Sequence, residues 1–457
     1  MAMIVMASCA KENVQQNNEP TGEKVLLEIG LASTKTQLGK EDNGFFPIVW
    51  SEGDEIAVIE NMGMEGKQNV SVYSLREGAG TANGVFELVE GSPKVTNNVD
   101  VVYPASAVKG KGLIKDISSL VPKDQTQSYE DGNFDKNAAV MYFHRNNPAD
   151  KIVLEPLSSI ICIPIKGFDD NDVVTAVKWQ NMDGRTATVT LNCPNGVTLS
   201  KGQATNFYLS IQPMLKDCNG IAYVYLKNGA IQVKTPRNLK AFQAGSLHRF
   251  PEWTLSKKAK WTILGYGSQR DATTWEQVPL GPAQYMIDGN DLSWWESRRK
   301  PNSDNTKAIM AGQHTFVIDL GSKQEIKGIK IKSKERKGSP KYGIKLNDGS
   351  DVLGKQSYNP PHTFHIGFTA NDPGKAAINA FTKNKTWPTG MKYTTFKSET
   401  ANGIDYYYGA DKKTWWDNEI TPSISARYVF IHFQYAWNND GNDTAAPFEK
   451  VAELDIY

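Results

Sequence analysis

The stretch Ile326-Lys327-Gly328-Ile329-Lys330-Ile331-Lys332, IKGIKIK, decides the fold class of this chain. Ile329 and Ile331 alternate with Lys330 and Lys332, placing apolar groups on one side and charge on the other. That period of two belongs to a half-buried β-strand. Further along, Val451–Tyr457 repeats the pattern, with Leu454 and Ile456 one way and Glu453 and Asp455 the other. Tyr428–Phe433 is largely apolar on both faces, which suits a central strand. Two such sheets face to face make a jelly-roll-like sandwich.

The same grammar runs through the rest of the 457 residues, a length that allows roughly two to four domains. Glycine, aromatics and Asn-Gly or Asp-Gly turns are frequent, and long runs of helix formers are scarce, which favours β-sandwiches over helical bundles. In a first block, Lys24–Leu31, Glu55–Glu60, Val70–Leu75, Val85–Val89 and Val99–Tyr103 read as strands. Pro122–Asn137 is polar and ends it. A second block follows, with strands at Ala138–His144, Ile152–Pro156, Ile160–Lys166, Val173–Gln180, Ala187–Asn192, Asn206–Pro213, Ala222–Lys227 and Ala230–Lys234. Ser256–Lys260, SKKAK, reads as a hinge into a third block. The expected domains are 24–145, 146–256 and 257–457, after a leading segment 1–23. No short-period repeat occurs, which excludes a solenoid or propeller. The formal net charge of +1 gives no bulk field that would draw nucleic acid or an anionic membrane.

Cysteines are sparse: Cys9, Cys162, Cys193 and Cys218, with no CxxC pair for a zinc ribbon or redox site. Cys193 and Cys218 either pair in an exported protein or serve as small buried hydrophobes. The segment MAMIVMASC followed by AKENVQQNNEPTGEK resembles a bacterial lipoprotein signal, with Cys9 as the lipidated residue and a polar tether behind it. Its apolar run is shorter than the ~15–30 residues of a signal peptide and lacks a basic start. No other segment reaches the ~18 apolar residues of a membrane span.

Two further resemblances rest on ordered motifs. Trp50-Ser51-Glu52-Gly53-Asp54-Glu55-Ile56, Val102-Tyr103-Pro104-Ala105, Leu120–Thr126, Pro156–Ile160 and Phe207–Pro213 together resemble the fimbrillin-like proteins of the Bacteroidetes. That resemblance implies two tandem transthyretin-like β-sandwiches, export as a surface lipoprotein, and a role in fimbriae or adhesion. On physical grounds alone, Trp50 plugs a core and Gly53-Asp54 turns the chain. From about residue 258 onward the chain resembles the discoidin, or coagulation factor 5/8 type C, family of galactose-binding-like jelly rolls. The matching residues are Ile287-Asp288-Gly289 through Ser293 and Trp295, then Phe316–Gly321 with Ile326–Ile329, then Arg427–Ile431 and Val451–Tyr457. This likeness implies glycan binding. An insertion at about Ser357–Ser425 departs from the family pattern.

No P-loop, GxGxxG, GxSxG elbow or HExxH is present, so an enzyme is not expected. His362 and His365 have i, i+3 spacing without a carboxylate between them, and on a strand their rings would face opposite ways. Asp288, the Asp291 region and Ser293 share one tight loop of hard oxygens, and the discoidin resemblance adds Glu453 from the last strand. Together they would hold a structural calcium; otherwise Asp288 caps a turn and Glu453 is solvated. Sugar binding needs an aromatic face for pyranose C–H bonds and polar groups for hydroxyls. The candidates are Trp294, Trp415, Trp416 and Trp437, with Arg336 and Asn438 as polar partners. Trp295 is expected in the sandwich core.

The fimbrillin resemblance also implies assembly, in which proteolysis frees a groove and a neighbouring subunit's strand fills it. The first arginine is Arg76, so cleavage near Lys24–Leu31 would need lysine specificity. The last strand belongs to the third domain and is not available for donation. The expectation is a cell-surface adhesin at a fimbrial tip, with glycans and other fimbrial subunits as partners. Alternatives are a non-polymerising glycan-capture lipoprotein and an anchoring pilus subunit whose third domain binds protein.

Overall fold

A computed structural model of the chain describes residues 26–31, 49–93, 98–127, 135–181, 188–267 apart from 215, 218, 235, 237 and 238, then 280–290, 294–296, 314–333, 335–336, 356–357, 361–397, 415–437, 443–444 and 450–457. It is an all-β protein with one described α-helix. Among the described residues no helix is long and apolar enough to cross a membrane.

The chain divides into two compact units, residues 1–117 with 141–155, and 118–140 with 156–457. The strands of the first part are β1 (Leu26–Leu31), β2 (Glu55–Glu60), β3 (Asn69–Glu77), β4 (Asn83–Glu90), β5 (Val99–Tyr103), then β6 (Asp124–Thr126), β7 (Met141–Arg145) and β8 (Ile152–Pro156). Except for β6, they form a closed barrel in the order β1-β4-β3-β2-β5-β7-β8, sealed by a parallel β1–β8 pair. Trp50 is buried in its core, edge-on to Phe86 at 4.8 Å, and Asp54 Oδ2 accepts from the Ser51 amide at 2.7 Å. These residues therefore act as plug and turn, as their chemistry suggested. The boundary expected at 145/146 does not follow the pairing. β8 closes the first unit, while β6 adds in parallel to a later strand of the second.

That second unit opens with a sandwich. Its strands are β9 (Ser159–Lys166), β10 (Val173–Asn181), β11 (Val189–Thr198), β12 (Thr205–Ile211), β13 (Gly220–Leu226), β14 (Ile231–Lys234), β15 (Leu247–Arg249) and β16 (Trp253–Thr254). One sheet runs β14-β13-β10-β11-β6, and the other runs β12-β9-β15 with β16 also on β9. Ile161, Ile163, Val177, Trp179, Leu191, Phe207 and Val224 fill the space between them. Cys193 is a buried thiol in this core, its pKa pushed up to about 12 by burial, which matches the small-hydrophobe alternative. Cys218 and Cys9 lie outside the described residues.

The C-terminal part contains β17 (Thr262–Tyr266), β18 (Leu280–Gly281), β19 (Trp294–Glu296), β20 (Thr315–Ser333), β21 (Glu335–Arg336), β22 (Gln356–Ser357), β23 (Pro361–Thr369), helix α1 (Gly374–Asn384), β24 (Tyr393–Lys397), β25 (Trp415–Trp437), β26 (Asp443–Thr444) and β27 (Lys450–Ile456). β20 and β25 are long antiparallel partners whose register breaks between Asp319 and Gln324. Phe316 and Ile331 lie on one strand, about 50 Å apart if it ran straight. Both nevertheless belong to one apolar cluster with Ile318, Phe364, Val429, Ile431 and Leu454. The pair must therefore fold over on itself, so each long strand serves both layers of the sandwich. Asp319 organises the bend: Oδ1 accepts from the Gly321 amide at 2.8 Å, and both its oxygens take the Arg427 guanidinium at 2.8 Å. Gly321 holds φ at +81°, a conformation that side chains disfavour.

As the sequence pattern suggested, β25 is central. Val429, Ile431 and Phe433 face the sandwich core, while Tyr428 and Phe430 join Val317 and Phe381 beneath α1. The hinge expected at Ser256–Lys260 is instead a buried joint. Lys257–Lys260 form a 3-10 turn in which Lys258 and Ala259 are buried. Asn228 Nδ2 donates to Ala259 O at 2.7 Å, and Lys260 reaches Asp172 at 2.6 Å and Asp169 at 3.0 Å. Tyr285 packs with Ile221, Tyr223 and Val233 of the preceding sandwich. A linker that buries apolar surface and satisfies its polar groups on both sides has little freedom to swing.

Candidate functional site

Trp295 locates the site. Its side chain is fully buried, and its backbone pairs with Val451. Val451 also pairs with Ser333, the last residue of β20. Yet the Trp295 ring stands 4.7 Å from Phe316 and 6.0 Å from His314, at the start of that strand. It is also 6.1 Å from Phe433, near the end of β25, whose beginning pairs Trp415 with Lys332. The fold-over thus brings both termini of β20 and both termini of β25 to one end of the sandwich.

The expected sugar-binding positions fall at that end. Trp294 precedes Trp295 and pairs with Leu280. Trp415 and Trp416 open β25, opposite Lys332 and Ile331. Trp437 lies four residues past Phe433, at most about 14 Å of strand. Arg336 lies just beyond Ser333 and pairs with Gln356. Positions spread over more than a hundred residues of sequence therefore share one end through backbone geometry alone. Positions 415, 417 and 419 lie on one strand face and 416, 418 and 420 on the other; Asn418 and Ile420 are buried, Asp417 and Glu419 exposed. Asn438, Asp291 and Ser293 lie outside the described residues.

Beside this end, the outer sheet face carries a cluster that sequence reading missed. His365 sits within β23. Its Nε2 donates to Gln434 Oε1 at 2.7 Å, and its Nδ1 is hydrogen-bonded with Thr395 Oγ1 at 2.8 Å. An amide oxygen only accepts, which sets the direction of the bond to Gln434. Tyr393 lies against the His365 edge at 5.3 Å and stacks on Trp387 at 4.6 Å and 18°. One face of Tyr393 is thus backed, and half the residue is exposed, 50%. Gly367 makes room for this packing, since a Cβ there would meet the Trp387 ring at 2.7 Å. A rigid aromatic face beside amide and hydroxyl groups suits a pyranose ring. The sequence signal was present in the alternation of Thr363, His365 and Gly367 with Phe364 and Ile366.

The expected calcium set does not fit what the described atoms do. Asp288 is buried; its Oδ1 accepts from the Asn290 amide at 2.8 Å and its carbonyl from the Val233 amide at 3.2 Å. Glu453 is not solvated but 3% exposed, and its Oε1 is bonded to the Lys258 ammonium. Lys258 also donates to Leu454 O at 2.7 Å. Burial pushes the Glu453 carboxyl up, while Lys258 and the Gly289 amide pull it back down. A divalent ion at Glu453 would sit against a buried ammonium.

No protein-family model matches the sequence, and no curated protein matches it. Solved structures do. The C-terminal domain of a chitobiase from Bacteroides fragilis matches with 16% identity and a TM-score of 0.26, covering 44% of this chain and 95% of that one. A family 32 carbohydrate-binding module from Clostridium perfringens, in complex with galactose, matches with 14% identity and a TM-score of 0.25, covering 44% and 95%. A second Clostridium perfringens module of that family, in complex with GalNAc-β-1,3-galactose, matches with 12% identity and a TM-score of 0.25, covering 44% and 97%.

Proposed function

We propose that this protein is a cell-surface, non-enzymatic adhesin whose C-terminal sandwich binds glycans at the strand end marked by Trp294, Trp415, Trp416, Trp437 and Arg336. The observation that carries this reading is the convergence of those positions through the fold-over of β20 and β25. The backed Tyr393 face, with Gln434 and Thr395 beside it, extends the same surface. The lipid anchor at Cys9 and the fimbrial setting belong to this proposal too. In it, β1 is the exchangeable strand, because its loss would leave the facing edges of β4 and β8 unpaired. β27 is held between β19 and β20 within the C-terminal sandwich, and the fimbrial-tip position is part of the same proposal.

The test is a glycan array probed with the full chain and single variants, with galactose- and GalNAc-terminated glycans included. The wild type is expected to bind. Trp415→Ala and Trp437→Ala are each expected to weaken binding about tenfold, or ~1.4 kcal/mol. Melting temperatures of the variants separate lost binding from lost folding. An empty array sinks the reading.

A further inference from the structure

We propose that the Lys258 ammonium is the structural cation of the C-terminal domain, doing internally what a bound metal ion would otherwise do. The surroundings of its Nζ are those of a cation site. Glu453 Oε1 and Leu454 O accept from it, and the Trp261 ring face lies 5.6 Å away. The Lys258 and Glu453 side chains are 8% and 4% exposed, so the pair is shielded from solvent. It links residues 195 positions apart, the first turn of the domain to its last strand.

The neighbouring lysines extend the clasp in both directions. Lys257 Nζ donates to Ile456 O at 2.9 Å and pairs with Asp455 at 3.2 Å, so two successive lysines hold β27. Lys260 turns the other way, to Asp169 and Asp172 of the preceding sandwich. A short lysine-rich segment therefore fastens the last strand to the domain's start and the start to its neighbour. A buried ion pair contributes most visibly when one partner is removed, because the other is left charged and desolvated.

Calorimetry of the full chain tests this, with EDTA or added calcium, alongside metal analysis by mass spectrometry. The C-terminal transition of the wild type should not move with either addition, and no stoichiometric ion should be found. Lys258→Met should lower that transition by roughly 10 °C. Lys258→Met combined with Glu453→Leu should recover most of the loss, since it removes both charges. A wild-type transition that falls in EDTA, or a bound stoichiometric ion, overturns the proposal. So does a Lys258→Met transition within about 2 °C of wild type, or a double variant no better than the single one. If the single variant does not fold, recovery in the double variant still supports the pair; if neither folds, the wild-type chelation and metal results decide.

Discussion

His432 lies within the sheet, paired across strands with Thr315 and His365, and is 7% exposed. Burial, reinforced by the positive charge of Lys385, depresses its pKa to about 3. An unfolded histidine titrates near 6.5. The folded ring therefore stays neutral while the unfolded chain takes up a proton, so stability present above about pH 6.5 drains away as pH falls toward 3. Between pH 7 and 5 this amounts to about 2 kcal/mol. Urea unfolding of wild type and His432→Gln at both pH values checks it: the variant should lose that share of the pH dependence. Equal pH slopes for the two proteins would contradict the assignment. That His432 is buried could be anticipated from the apolar run around it. That its neighbours are other histidines and a lysine could not, because they arrive from β20, β23 and the end of α1.

Helix α1 shows the same division one level up. It covers the sheet face formed by Val317, Tyr428 and Phe430, with Phe381 fully buried against Phe430 at 5.1 Å and Trp387 at 4.6 Å. Its C-terminus is closed by Lys385 in the left-handed conformation, whose amide bonds back to the Phe381 carbonyl at 2.9 Å. Sequence reading saw the insertion at 357–425 but not this helix, although Ala376, Ala377, Ile378 and Phe381 carry helical spacing. Eleven residues are too few to declare themselves by periodicity among so many strands. Phe381→Ala should cost about 3–5 kcal/mol in the C-terminal transition. Because Phe381 also supports Trp387, and Trp387 backs Tyr393, the same variant should weaken glycan binding under conditions where it remains folded. Chemical denaturation and the array measure the two effects separately. Unchanged stability would show that α1 is not part of the core.

At the scale of the molecule, the decisive feature is that the second sandwich and the C-terminal sandwich form one compact unit. A domain on a loose hinge would absorb pull by reorienting. Here the joint is closed by the Tyr223–Tyr285 packing and by Lys260, so a pull on the C-terminal sandwich would pass directly to its neighbour. Limited trypsin digestion of the native protein is expected to leave Lys257, Lys258 and Lys260 uncut. A fragment starting at Ala259 or Trp261 in N-terminal sequencing would reinstate the hinge read from the lysine-rich sequence. Lysine-rich segments usually mark solvated linkers. This one is buried because acids distant in sequence meet its lysines.

The sequence by itself determined the strands. Glu55–Glu60, Val99–Tyr103 and Ile152–Pro156 were legible to the residue, β20 and β27 could be assigned their inner faces, and β25 a central place, because alternation is a local property of the extended chain. It also placed Trp50 and Trp295 in cores. Only the tertiary structure decided which edges close the first barrel, that β20 and β25 fold over so that both their ends meet at Trp295, and that Glu453 is paired with Lys258. Those outcomes depend on pairings between residues tens to hundreds of positions apart. Such pairings are selected by packing and charge in the assembled fold, and leave no periodic trace in either partner's own sequence.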